Sequence, residues 1–413
     1  MDSERMSRIQ ENLHTAGLAA VVCSLPSNVL LLTGYWPVVG ESIAICVCGG
    51  PTVLLVPEDE ADLAGAGFAD SIEAFVPETL DEMSSVSAAV KPHLAHILNQ
   101  LKVIPGQIGI ESGPSSQAAS YLAIHLFGSK LPDMLHELLP ASTLIPIDEW
   151  IHNLKSIKTP AELGRIRQAC AIVKSAYELA APQLHAGMRE PEAAELFRAP
   201  LSRTEVSGPW IHRNDGFAFC MSGPNSAKAY AAYARTRRRK LESIDLVMMH
   251  CNSYFDGFWT DITRTFTLQP PGERQEEMYA AVFAARKAAL AAIKPRMPAA
   301  EVDAAARQVI RDFGLGPYLK HGTGHGVGFS PMSAYSSPRI HAGSSDVLEE
   351  GMVFNVEPAV YIEGYGGVRH CDMVAVTSNG YELLTDFQSN LESLTATKAN
   401  HLPRQPIQAK ASS

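Results

Sequence analysis

"GFWTDITRTFTLQ", residues 257–269, is the stretch whose reading decides the fold. Phe258, Trp259, Ile262, Thr263 and Thr265 favour a pleated backbone, and Asp261 in their midst does not. Just upstream runs "HCNSYF", residues 250–255, and the Asp256-Gly257 pair between the two segments is a strong two-residue hairpin signal. With that turn, Asp261 pairs across the ladder with Asn252, and His250 lies diagonally on the same face, within side-chain reach. A carboxylate held opposite an imidazole is either a hydrogen-bonded surface pair or part of a site. The pair alone leaves both readings open.

Three later segments bear on the choice. "HGTGHGVG" sets His321 and His325 four apart among glycines that permit close backbone approach. "LEEGMVFNVEPAVY" puts Glu357 inside an apolar, strand-like run, where an unpaired carboxylate costs several kcal/mol. "GGVRHCDMVAV" gathers Arg369, His370, Cys371 and Asp372 at the start of another strand. Each has a local explanation as an ion pair or a satisfied core polar group. Together, carboxylates and imidazoles converging on one sheet are what a divalent metal requires.

Asp261, "HGTGHGVG", "GMVFNVEP" and "GVRHCDMVAVTSNGYELLT", in that order, resemble the pita-bread family: prolidase, aminopeptidase P, methionine aminopeptidase and the metal-free relative creatinase. "NVLLLTGYW" and "LKSIKTPAELGRIRQA" resemble its two-domain branch. The resemblance implies an α+β protein: a creatinase-like α/β domain over residues 1–153, then a pita-bread domain with a curved antiparallel sheet over 154–395. Residues 396–413 are expected to form a loose tail. Peptidases of the family bind two metals through Asp, Asp, His, Glu and Glu. By resemblance the second Asp is Asp261, the His is His325 and the first Glu is Glu357. His250 stands where the first Asp is expected, and Cys371 where the last Glu is. His321 matches one flanking histidine of the proline-specific members. Tyr230 stands near another, and a third falls on Met332 by strict spacing or Tyr335 with an insertion. Arg369 matches a family arginine suited to hold a substrate carboxylate through its planar fork.

The substitutions carry chemical consequences. Asp261, His325 and Glu357 are enough for one metal with an open position. If His250 and Cys371 are ligands too, imidazole and thiolate shift the preference from manganese toward zinc, or to iron or cobalt. The alternative is that no metal binds, as in creatinase, with His250 or His321 shuttling protons and Glu357 placing water or substrate. The expected activity is hydrolysis of a C–N bond in a small amide or short peptide. In it Glu357 acts as general base and acid, and His321 stabilises the oxyanion or leaving group. A non-catalytic binder is the third reading. Asp372 reads as an orienting partner, and Cys251 and His370 as structural residues.

Composition sets the outer limits. The 413 residues are 46% hydrophobic and 19% charged, with 34 basic and 44 acidic side chains and a formal charge of −10. That describes a globular chain of two domains and argues against nucleic-acid or anionic-membrane partners. The basic run "RTRRRK", Arg235 to Lys240, reads as a solvated turn before a strand rather than a phosphate patch. "MDSERMSRIQENL" has no apolar signal core, and "IAICVCGGPTVLLV" is broken by Gly49, Gly50 and Pro51. Seven cysteines without repeating spacing suit a reducing compartment. A cytoplasmic location follows as an expectation, and a homodimer follows from the resemblance alone. In "KTPAELGRIRQACAIVK", Thr159 is an N-cap, Pro160 the first helical position and Glu162 the partner of a capping box.

Overall fold

The computed structural model describes residues 2–37, 41–76, 85–103, 106–112, 130–203, 213–230, 235–331 and 337–396. Met332, Tyr335 and the expected tail beyond 396 lie outside them.

The N-terminal part is built on one six-stranded mixed sheet. Its strands are β1 (Ala20–Cys23), β2 (Ile43–Val47), β3 (Thr52–Pro57), β4 (Ser71–Phe75), β5 (Gln107–Ile110) and β6 (Thr143–Pro146), in the order β4-β3-β2-β1-β5-β6. β1, β2 and β3 pair antiparallel, and β4, β5 and β6 join in parallel. β1 and β3 are buried along their whole length, because helices cover both faces of the sheet.

The sheet docks onto the rest of the chain through Arg5, whose side chain is fully buried. Its Nε and Nη2 reach the two Glu162 oxygens at 2.7 and 2.6 Å, and Nη1 and Nη2 donate to Leu154 O and Ile157 O. Every one of these partners flanks or opens the helix Pro160–Ala180. That helix begins as its sequence dictates, with Thr159 capping, Pro160 at its start and a complete capping box to Glu162.

The named strands of the C-terminal part pair antiparallel. β7 (Asn214–Ser222), β8 (Leu246–Phe255), β9 (Phe258–Trp259) and β10 (Ile262–Thr267) form one sheet. β11 (Gly324–His325) pairs β12 (Arg339–Ile340), and β14 (Ala359–Ile362) pairs β15 (Gly366–Arg369). β13 (Val353–Val356), β16 (Asp372–Thr377) and β17 (Gly380–Leu383) make a three-stranded sheet. Helices Glu273–Ala292 and Ala299–Asp312 pack against these sheets.

The hairpin turns where the sequence says. Phe255 pairs with Phe258, and Asp256 and Gly257 carry φ of 49° and 83°. Gly257 is needed twice over, since a Cβ there would sit 2.4 Å from Cγ of Trp36, which belongs to the N-terminal part.

Two expectations about strands need correction. Asp261 is not inside a continuous strand: the strand lapses at Thr260 and Asp261, although Thr260 N still donates to Ser253 O at 2.9 Å, and resumes at Ile262. The cause is Asn252, whose side-chain Oδ1 takes the Ile262 N–H at 3.0 Å in place of a backbone carbonyl. Glu357 is not inside a strand either, because Glu357-Pro358 separates β13 from β14. Proline has no N–H to give to a ladder. A third break at His370-Cys371 separates β15 from β16, although Cys371 still bridges to Thr263. Strand breaks free backbone and re-aim side chains, and here they fall at the residues picked out by their chemistry.

Candidate active site

The loop from His321 to His325 is threaded between two strands. A Cβ at Gly324 would lie 1.9 Å from Asn355 O, and one at Gly322 2.8 Å from Ile340 O. This close fit sets His321 and His325 on either side of Thr323, over the broken edges at Asp261 and Glu357.

His325 is held by two neighbours that agree on its tautomer. Its Nδ1 lies 3.1 Å from Gly326 O, a carbonyl, so Nδ1 carries the proton. Asn355 accepts the His325 backbone N–H at Oδ1, 2.7 Å, which turns its NH₂ toward His325 Nε2 at 3.3 Å. Nε2 is therefore an acceptor, and it faces Asp261 Oδ2 at 3.4 Å. A lone pair directed at a buried carboxylate is unfavourable unless a cation or a proton sits between them. Without an ion the pair keeps a proton. Burial pulls the imidazole down, yet Asp261 and then Glu357 outweigh it and raise His325 above its ordinary value. Burial pushes Asp261 up, but His325, His250 and Arg369 hold it below the usual carboxylate range.

The other half of the site is differently made. His250 Nδ1 lies 3.8 Å from Asp261 Oδ1, so the structure brings this pair together. The same Nδ1 also lies 3.0 Å from Thr263 Oγ1 and 3.1 Å from Arg369 Nη2. A guanidinium only donates, so Nδ1 accepts and the proton sits on Nε2. Burial, with Arg369 next to the ring, lowers His250 to about 4, and the imidazole is neutral. Cys371 Sγ lies 3.1 Å from Asp261 O and 3.9 Å from Asp261 Oδ1, and is fully buried. Burial and the neighbouring carboxylates push the thiol far up, so it stays protonated and donates to that carbonyl.

Arg369 is 5% exposed, and its fork is already engaged: Nε with Thr263 Oγ1 at 3.1 Å, Nη1 with Tyr361 OH at 3.5 Å and Nη2 with His250. One hydrogen on each of Nη1 and Nη2 is left for a substrate group. His321 Nδ1 lies 2.7 Å from Gly322 O, and Nε2 lies 2.9 Å from Tyr361 OH. The resting His321 is thus an acceptor at Nε2, and burial keeps it below its ordinary value and neutral. It cannot itself donate to an oxyanion from that atom. Tyr361 supplies the hydrogen of that bond, and burial pushes its hydroxyl up to about 12. Tyr230, 45% exposed, lies at the rim with its ring 5.5 Å from that of Tyr361.

Asp372 stands behind the site. Arg264 Nη2 lies 2.7 Å from its Oδ1, Thr385 Oγ1 donates at 2.7 Å, and Arg286 bonds Oδ2. Burial pushes this carboxyl up, and Arg264, His370 and Arg286 overcome it and hold it well below the usual range. Arg264 also donates to Cys371 O at 2.6 Å and Thr263 O at 3.0 Å, tying two strands together at the third break. Cys251 is fully buried in the core, as expected.

Both stretches of the chain match family models: residues 5–157 match the creatinase/prolidase N-terminal domain, and residues 164–378 match metallopeptidase family M24. The chain belongs to metallopeptidase family M24. It is 30% identical over 388 residues to the Xaa-Pro dipeptidase of Pyrococcus furiosus, covering 94% of this chain and 99% of that one. The solved prolidase from Pyrococcus horikoshii superimposes with a TM-score of 0.73 at 27% identity, over 94% of this chain and 99% of that one. The X-Pro aminopeptidase of Thermotoga maritima, at 21% identity and a TM-score of 0.75, shares the fold over 94% of this chain and 99% of that one.

Of the ligand set expected from the resemblance, this M24 member brings His325 to 3.4 Å and His250 to 3.8 Å from Asp261. Asp261 supplies negative charge beside His325, with Glu357 on the adjoining break, and the His325 Nε2 lone pair is met by the Asn355 NH₂ at 3.3 Å, which a cation would displace. His250 commits its Nδ1 lone pair to Arg369 and Cys371 keeps its proton on Asp261 O, so neither an open lone pair at Nδ1 nor a thiolate is presented. As placed, no group of three or more His, Cys, Asp or Glu side chains among the described residues stands so that it could hold a metal ion, the Asp261, His325 and Glu357 set included. The residues that sequence reading missed are Tyr361, Asn355 and Thr263. A tyrosine two residues beyond the first apolar position of "AVYI" looks like core, and only its contacts distinguish it.

Proposed function

We propose that this chain hydrolyses the C–N bond of a short peptide or small amide, with Xaa-Pro dipeptides as the first substrates to try, using one divalent cation at Asp261, His325 and Glu357. The observation that carries this is the His325 lone pair facing the Asp261 carboxylate at 3.4 Å. The similarity to Xaa-Pro dipeptidases along nearly the whole chain supports the substrate class. Zinc is favoured over manganese, cobalt or iron, because one imidazole and two carboxylates with an open position suit it. A cation bound there would polarise the scissile carbonyl and make a water acidic enough to ionise near neutral pH.

The chain's own groups supply the rest. Glu357, held by its backbone N–H on Thr323 O at 2.8 Å, takes the water's proton and passes it to the leaving nitrogen. Tyr361, between His321 and Arg369, gives its one hydroxyl hydrogen to His321 at rest and turns it to an oxyanion during the reaction. Arg369 directs its remaining hydrogens toward a substrate carboxylate, and Tyr230 belongs to the rim. The same reading gives a homodimer and neither a nucleic-acid nor a membrane partner. Among the described residues no helix is long and apolar enough to cross a membrane.

The test is hydrolysis of Xaa-Pro dipeptides and of creatine-like guanidino compounds, each with and without a chelator. Dipeptide turnover abolished by chelator and restored by zinc supports the proposal. Chelator-resistant turnover of a guanidino compound would transfer the chain to the metal-independent reading. No turnover of either, with no ion bound, would leave a binding protein.

A further inference from the structure

His321, which accepts from Tyr361, and Glu357, which carries the proton, lie on separate segments, and something must fix the distance between them. Asp303, on the helix Ala299–Asp312, is fully buried. Its Oδ1 accepts both the backbone N–H of Thr323, at 2.9 Å, and the Thr323 hydroxyl, at 2.8 Å. Its Oδ2 is bonded by Arg307, one turn along the same helix, and Arg307 Nη2 continues to His321 O at 3.3 Å. Thr323 in turn offers its carbonyl to Glu357 N at 2.8 Å. A single buried carboxylate thus reaches the backbone of both groups through two short routes. Gly322 and Gly324 bring this loop close against Ile340 O and Asn355 O, and Asp303 ties its middle residue, Thr323, to the helix.

We propose that Asp303 and Thr323 are positioning residues that set the spacing of His321 and Glu357. This rests on the reading of those two groups given above. Neither Asp303 nor Thr323 needs to touch substrate. A misplacement of about 1 Å at a reacting group can cost on the order of a hundredfold in rate, and two hydrogen bonds to one carboxylate oxygen are the restraint against it.

The experiment compares the full chain with Asp303→Asn and Thr323→Val, the second removing one hydroxyl with little change of shape. Histidine side-chain nitrogen resonances are recorded without substrate, and kcat and KM are measured on a Xaa-Pro dipeptide. The expected result is that the His321 resonances move in both variants while those of exposed His14 and His185 stay. With it, kcat falls roughly tenfold to a hundredfold and KM stays within about threefold. Unmoved His321 resonances in a folded variant would overturn the proposal, as would an unchanged kcat. If the wild type turns over no dipeptide, the functional reading fails, and the resonances still decide the brace.

Discussion

Arg369 Nη2 lies 3.1 Å from His250 Nδ1, with both side chains buried. A permanently charged guanidinium against an imidazole fixes that ring as neutral, with its proton on Nε2. The position where the resemblance places the first metal aspartate is therefore tied into the protein's own hydrogen bonds.

A stoichiometry follows. Purified protein given excess zinc should hold no more than one ion per chain by elemental analysis. The double variant His250→Asp/Cys371→Glu restores two carboxylates beside Asp261 and should take up a second. Two ions in the unaltered protein would contradict the geometry of His250 and Cys371.

A pH dependence of stability arises at Lys158, beside Gly328. Lys158 is 5% exposed, donates to Ser156 O at 3.2 Å, and is lowered to about 7, chiefly by burial, with Glu162 opposing and Arg5 and Lys155 adding. The unfolded lysine titrates near ~10.4. Between those values the unfolded chain binds more protons, so stability rises with pH, by at most ~1.4 kcal/mol per unit from this group. Urea midpoints should increase from pH 7 toward pH 10. Lys158→Met should flatten the rise and stabilise most near pH 7. It will not abolish the rise, because Lys155, lowered to about 8 by burial, acts in the same direction.

The hairpin under Trp36 gives a stability prediction between the two halves of the chain. Trp36 packs on Tyr254 at 4.6 Å between ring centroids and on Trp259 at 6.3 Å. Gly257→Ala would strain a φ of 83° and drive a methyl into the indole. Denaturant titration should show a loss of about 2–4 kcal/mol. A loss under about 0.5 kcal/mol would mean that Trp36 moves freely away.

The sequence carried much of this. The Asp256-Gly257 turn and alternation gave the pairing register, and Thr159, Pro160 and Glu162 gave the helix that joins the two halves. What it did not carry is where ladders stop. Ile262 bonds to the side chain of Asn252, an amide that looks like any other strand residue in one dimension. Arg264 reads as an exposed charge in a strand, yet it is fully buried and clamps Asp372, Cys371 and Thr263. Asp303 looks like the polar face of an amphipathic helix, and only the fold shows it reaching Thr323. Local pattern encodes which face is buried, whereas side-chain bonds across distant segments decide what the buried polar groups do. The basic run is another case. Arg239 pairs with Asp245, and Arg237 N donates to buried Glu190, so part of "RTRRRK" is built into the fold.

The central claim is one cation between Asp261 and His325. The direct measurement is an anomalous-difference map at the zinc edge, from crystals grown at neutral pH with zinc. One peak is predicted, roughly 2.0–2.2 Å from His325 Nε2, an Asp261 oxygen and a Glu357 oxygen. Empty density there in well-ordered crystals, with Asp261 still 3.4 Å from His325, would show that a proton and not a metal joins the pair.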